Sequence, residues 1–166
     1  MRSKLFVPAS RPEFFAKALA GEADAISFDL EDAVQEGKKV EARTTLQTFL
    51  QEKPPQTHGK AIIVRVNGLT TPHFEADIAA VAWPGVDMIN LPKPESAGDV
   101  RAAAAVLARY ETERGIERPI GIEAGEVFPR RSVVRGEGAA NENLAVRLHE
   151  HRVDGPVRSR AGIERR

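Results

Sequence analysis

Four short polar clusters follow apolar runs of this chain, and their residue types suit carboxylate and carbonyl chemistry. They are Pro8-Ala9-Ser10-Arg11, Asp29-Leu30-Glu31-Asp32, Arg65-Val66-Asn67 and Leu91-Pro92-Lys93. Arg65 stands in a hydrophobic run, where a guanidinium can fork onto a carboxylate or carbonyl in a partly dry site. An ion pair with acids at the end of a neighbouring run is an equally open reading. Asp29, Glu31 and Asp32 place three carboxylates in four residues. Crowded carboxylates raise one another's pKa unless a cation relieves them. They are therefore candidates to support a metal, or the Arg and Lys groups beside them; helix capping and surface charge are the plainer alternative. Lys93 offers a point positive charge or is simply solvated. Arg11 sits beside an expected helix N-terminus and would join it in binding phosphate. One charged residue after a strand is usually just solvated. Four clusters in succession, all at the same strand ends, point to a shared site.

The elements that must position these residues alternate between strand and helix. Strands are expected at 4–7, 25–30, 60–66, 86–91 and 119–122. The run Ala61-Ile62-Ile63-Val64 reads as a strand buried on both faces. A first helix is expected from Pro12 to about Gly21, with Ser10 as its N-cap and Glu13 at the positive end of its dipole. A second is expected over 38–51 with an apolar stripe of Val40, Leu46, Phe49 and Leu50, stopped by Pro54-Pro55. A short third helix spans 74–81. A long fourth spans 96–113, with Val100, Ala104, Leu107 and Ala108 on one stripe. Each helix supplies a crossover, so the strands must pair in parallel and in chain order. That rhythm suits a (β/α)₈ barrel or a doubly wound sheet. No Gly-x-Gly-x-x-Gly follows the first strand and no Walker-type loop occurs, which removes the main support for dinucleotide or P-loop binding.

Composition narrows the classes further. Formal net charge is zero and the 166 residues are 42% hydrophobic. Neither nucleic acid nor a membrane is expected as partner. With no cysteine, thiol catalysis, disulfides and Cys-ligated metals are excluded. The first residues carry no signal-peptide core, so a cytoplasmic address is expected. The chain divides at residue 122. All seven lysines precede that point, and the nine cations of residues 123–166 are all arginine. The tail is expected to pack poorly, with a short helix at most near 143–149.

The strings KLFVPASRPEFFAKAL, ADAISFDLEDAV, VRVNGL and INLPKPESAGDV, in that order, resemble the citrate lyase beta subunit family, within the HpcH/HpaI aldolases and citrate-lyase-like enzymes. The resemblance covers residues 2–122. It implies a TIM barrel, here the first four βα units and a fifth strand, commonly in a homo-oligomer. It implies magnesium-dependent, reversible carbon–carbon cleavage of a 3-hydroxyacyl-CoA, such as citryl-CoA or malyl-CoA, to an acyl-CoA and a 2-oxo acid. Arg65 then contacts substrate and steadies the developing enolate as the catalytic residue. Asp29, Glu31 and Asp32 support that site, Lys93 adds positive charge to it, and Arg11 is placed to meet CoA phosphates.

The family also draws magnesium ligands from an I-E-T or I-E-S motif after the fifth strand and from an aspartate after the sixth. Glu126 lies close to the expected place of the first, without its surrounding motif, and no segment resembles the second. Eight βα units need about 250 residues, more than this chain has. The arginine-only tail resembles a GC-rich gene read in a shifted frame. Two readings therefore stand side by side: a CoA-ester lyase, and a truncated, inactive fragment or non-catalytic half-barrel partner.

Overall fold

The computed structural model describes residues 2–52 and 59–124. Among them, five strands form one parallel sheet in chain order. The strands are β1 (Lys4–Pro8), β2 (Ala25–Asp29), β3 (Ala61–Arg65), β4 (Met88–Leu91) and β5 (Gly121–Ala124). The crossovers are α1 (Phe15–Ala20), α2 (Lys39–Glu52), α3 (Phe74–Val81) and α4 (Ala97–Glu113). This is part of a (β/α)₈ barrel, and the parallel order expected from the strand–helix alternation is borne out in all four pairs. No described helix is long and apolar enough to cross a membrane. The double proline at 54–55, Glu126 and the expected helix at 143–149 lie outside the described residues.

Period-two alternation sorts the sheet into two faces. Val7, Ile26, Phe28, Ile62, Val64 and Ile89 turn toward the helices and join one core with Phe15, Leu46 and Leu50. Phe15, Phe28 and Phe49 meet edge to face, with ring centroids 4.8, 5.0 and 5.6 Å apart. Such geometry adds to the burial of the rings themselves.

Three local expectations need correction. Ser10 does not cap the first helix. A single 3₁₀ turn, Pro12–Phe14, precedes α1, its cap is Arg11, and no side chain bonds to the free N–H groups. Val40 is 66% exposed, because α2 begins at Lys39 and turns that lysine inward while Val40 faces away. On α4 the buried residues are Ala103 and Leu107, flanked by the partly buried Val100 and Tyr110, whereas Ala104 and Ala108 face outward. An Ala-rich helix has several apolar stripes to choose from, and only packing selects one.

The start of α4 is set locally. The Ser96 hydroxyl accepts from the Asp99 N–H while the Asp99 carboxylate accepts from the Ser96 N–H, a reciprocal capping box. The helix is followed by Gly115 at φ 60°, a left-handed conformation that glycine takes without a Cβ penalty.

Candidate active site at the strand ends

Register aligns one residue from each strand across the carboxyl ends of the sheet: Pro8, Asp29, Arg65, Asn90 and Glu123. Paired residues in a parallel sheet share a face, so this row lies on the face away from the helices. A cavity of 540 Å³ opens there, lined among others by Glu31, Asp32, Arg65, Asn90, Lys93 and Glu123. Of the residues expected to share a cavity, Arg65, Glu31, Asp32 and Lys93 line it, whereas Asp29 is buried behind Arg65.

Arg65 makes a two-pronged contact with Asp29. Its Nε donates to Oδ1 at 3.1 Å and its Nη2 to Oδ2 at 2.7 Å. Such forked pairs are the stronger kind of charge-assisted hydrogen bond. Asp29 is only 2% exposed, and its Oδ1 also accepts from the Glu31 N–H at 2.8 Å. Glu31 Oε2 lies 3.2 Å from Arg65 Nε and Asp32 Oδ2 lies 3.5 Å from Nη2. Burial works against the Arg65 charge, but the Asp29 hydrogen bonds and the three carboxylates outweigh it and raise its pKa. The ion-pair reading of Arg65 is therefore realised. It leaves donors free: two of five N–H groups go to Asp29, and Nη1 makes no hydrogen bond among the described residues.

Glu31 Oε2 is buried without a hydrogen-bond partner. It lies close to Arg65 Nε, but the single Nε proton already points at Asp29. Lys93 reaches Glu31 Oε1 at 3.3 Å while its side chain stays largely exposed. Its φ of 48° is the left-handed region, adopted by no other described residue except glycine. Strained backbone of this kind collects at functional sites.

Four polar or aromatic lining residues, Lys4, Phe6, Asn90 and Glu123, were not singled out from the sequence. Glu123 accepts from Lys4 Nζ at 3.0 and 2.7 Å and from Asn90 Nδ2 at 2.9 Å. Burial pushes its pKa up, but the hydrogen bonds from Lys4 and Asn90 outweigh this and hold the carboxyl below its usual range. Phe6, 48% exposed, presents its ring to the Lys4 ammonium at 5.3 Å and the Arg65 guanidinium at 5.6 Å. A signal for Glu123 was present. Ile122-Glu123 supplies the first two letters of the I-E-T motif, but the expected strand stops at Ile122 and Ala124 stands where the motif has Thr or Ser.

Arg11 is not part of this cavity. It pairs with Glu13, stacks on Phe14, and lines a separate 380 Å³ cavity with Ser10, Gln35 and Lys38. The expected helix N-terminus beside it is a 3₁₀ turn rather than a long helix.

The donor set on the main cavity fits a hard, oxygen-seeking cation. Glu123, Glu31 and Asp32 line it with carboxylates; Glu31 Oε2 is buried beside Arg65 with no hydrogen bond, and its Oε1 faces Lys93. No group of three or more His, Asp or Glu side chains is arranged to hold a metal among the described residues. A protein contribution of one or two carboxylates is usual for magnesium, with substrate and water oxygens completing its shell.

Comparison with known proteins agrees with this geometry. The family model HpcH/HpaI aldolase/citrate lyase matches residues 2–149, further than the motifs alone reach. A (3S)-malyl-CoA thioesterase from Cereibacter sphaeroides is 36% identical over 157 residues, covering 92% of this chain and 54% of that protein. The citrate lyase subunit beta of Leuconostoc mesenteroides subsp. cremoris is 38% identical over 121 residues, 72% of this chain and 38% of that one. Among solved structures, the citrate lyase beta subunit of M. tuberculosis complexed with oxaloacetate and magnesium aligns with a TM-score of 0.55 at 35% identity, covering 73% of this chain and 45% of that one. The chain spans about half the length, or less, of these relatives.

Proposed function

The chain belongs to the HpcH/HpaI aldolase/citrate lyase family, and from that membership we propose that it serves magnesium-dependent carbon–carbon cleavage of a 3-hydroxyacyl-CoA to an acyl-CoA and a 2-oxo acid. The observation that carries this reading is the opening of Arg65 and Glu123 onto one cavity. One is a fork for a carboxylate, the other a hard oxygen donor for a metal. Relatives named for malyl-CoA and citrate support the substrate class. Their likeness favours a working enzyme over an inert fragment.

In such a cleavage the substrate hydroxyl gives up its proton and the C2–C3 bond breaks. The carbinol carbon becomes the 2-oxo carbonyl. The bonding electron pair passes to the carbon alpha to the thioester, as its enolate, and that carbon takes up a proton in place of the one the hydroxyl released. Arg65 keeps its remaining N–H donors for the 2-oxo acid carboxylate and the developing enolate charge. Asp29 fixes the guanidinium plane from behind, so these donors are oriented before substrate arrives. Glu123 would hold magnesium, which when bound supplies Lewis-acid polarisation of the substrate oxygens. Asn90 and Lys4 orient the Glu123 carboxylate. Lys93 adds positive charge at the exposed rim, where an anionic substrate enters. Arg11 and Lys38, on the separate cavity, are offered for the phosphates of CoA. A homo-oligomer and a cytoplasmic address complete the proposal.

The test is incubation of the 166-residue protein with (3S)-malyl-CoA and magnesium, with products resolved by chromatography. Acetyl-CoA and glyoxylate in equal amounts, abolished by EDTA and by Arg65→Met, are expected. Free CoA and malate would replace cleavage with hydrolysis. No turnover, together with no calorimetric binding of pyruvate in the presence of magnesium, would overturn the reading.

A further inference from the structure

The one buried lysine of the described residues has no place in the chemistry above. Lys39 is 8% exposed and is the first residue of α2. Both facts count against a positive charge. Lysine is almost never fully buried unless paired, and the N-terminal end of a helix disfavours cations. No carboxylate lies within ion-pair distance of it among the described residues. Its three donors instead meet three neutral oxygens: the carbonyls of Leu30 at 3.1 Å and Glu31 at 2.9 Å, and Asn67 Oδ1 at 2.8 Å. An ammonium has three N–H groups, so its hydrogen-bonding capacity is filled.

The atoms it holds are the turn that carries the acids of the site. Leu30 N–H donates to the Arg65 carbonyl at 2.9 Å. Glu31 N–H donates to Asp29, and the Glu31 carboxylate stands beside Arg65 Nε. Asn67, two residues beyond Arg65 on the same strand end, ties the lysine to β3. Its Nδ2 donates to the Leu30 carbonyl at 3.0 Å and to Asp77 Oδ2 at 2.6 Å, and its backbone N–H donates to that same oxygen at 2.8 Å. Asp77 is fully buried and accepts from Arg43 Nε at 2.8 Å. The ends of β2 and β3 are therefore fastened to each other through one ammonium and one amide, behind the cavity.

We infer that Lys39 is a positioning residue for Arg65: by pinning the Leu30 and Glu31 carbonyls against Asn67, it sets the turn whose carboxylates orient the guanidinium. Buried polar networks rigidify when their members are satisfied, and behind the cavity Lys39, Asn67 and Asp77 all have their side-chain polar groups partnered. The functional weight of the inference rests on the reading of Arg65 given above; the geometry does not.

The test is NMR of the ¹⁵N-labelled full chain, with neither substrate nor metal. The Arg65 Nε–H signal is assigned by its loss in Arg65→Lys. In Lys39→Met, which keeps the side-chain length and removes the donors, that signal is expected to shift and to exchange with solvent about tenfold faster, while the amides of Ile62, Ile63 and Val64 stay in place. An unmoved Arg65 signal would overturn the inference, and so would a change spread equally over β3, which would mark general loosening. If Lys39→Met does not fold, the wild-type protein decides. The Lys39 ammonium must then give a signal exchanging at least about tenfold more slowly than that of the exposed Lys17. Exchange as fast as Lys17 would sink the proposal. Failure of wild-type pyruvate binding would instead count against the lyase reading and leave the Lys39 result standing.

Discussion

Lys4, at the start of the first strand, lies 2.7 Å from Glu123, near the end of the fifth. Three strands separate them in the sheet order. In a flat sheet, four spacings of about 4.8 Å would hold β1 and β5 roughly 19 Å apart, beyond the combined reach of a lysine and a glutamate. The contact exists because the sheet curls, as the strands of a barrel do. One ion pair thus reports the curvature of the fold and holds an acid of the candidate site.

A double-mutant cycle should detect that contact. Lys4→Met and Glu123→Gln, measured singly and together by urea unfolding, should show a coupling of about 1 kcal/mol, the upper end for pairs that keep some solvent contact. Strictly additive effects would mean that the two side chains do not meet in solution.

Acid should weaken the protein partly through Glu123. Its folded-state pKa lies below the ordinary value of 4.5, the hydrogen bonds from Lys4 and Asn90 outweighing the upward push of burial. A carboxyl with a depressed folded pKa stabilises the fold above its unfolded pKa, and that contribution disappears as pH falls through the folded value. Unfolding midpoints followed from neutral pH down through the carboxylate range should therefore fall less steeply in Glu123→Gln than in the wild type. Parallel curves would contradict the assignment.

Arg65→Met should be among the costliest changes at the site. It strands the buried Asp29 and removes the cation beside Glu31. Breaking a buried pair by deleting one partner typically costs about 3–5 kcal/mol, and because Arg65 keeps some exposure, the lower figure is expected. Arg65→Lys should recover only part, since an ammonium cannot fork onto Asp29. Chemical denaturation of the two variants measures both effects.

The helix-side core should separate two residues that look alike in sequence. Phe15→Ala removes the ring that touches both Phe28 and Phe49 and should cost about 3–5 kcal/mol. Val40→Ala, at a position also expected to be buried but 66% exposed, should change stability by no more than about 0.5 kcal/mol. Thermal or urea unfolding distinguishes them directly.

Much of this protein follows from its residues in order. The β-branched run at 61–64 and the strand–helix alternation lead to a parallel sheet in chain order, because each crossover helix permits only that pairing. The same logic puts Arg65, the acids after β2 and Lys93 at one end of the sheet. The family's motifs are legible there for the same reason: each lies within one strand end and the loop beyond it.

What local pattern could not decide was which distant groups meet. Glu123 and Lys4 are 119 residues apart, and their contact depends on strand register and on the curl of the whole sheet. Lys39 reads as one more charge in a polar stretch until the helix places it beneath the β2 turn, where three oxygens converge on it. Arg11 shares a strand end with the site residues, yet its side chain lines another cavity, because the chain enters α1 through a 3₁₀ turn. Residue type and spacing determine which elements form and which end of the sheet carries the chemistry. Only the three-dimensional register and curvature bring particular side chains within the few ångströms at which charge and hydrogen bonding act.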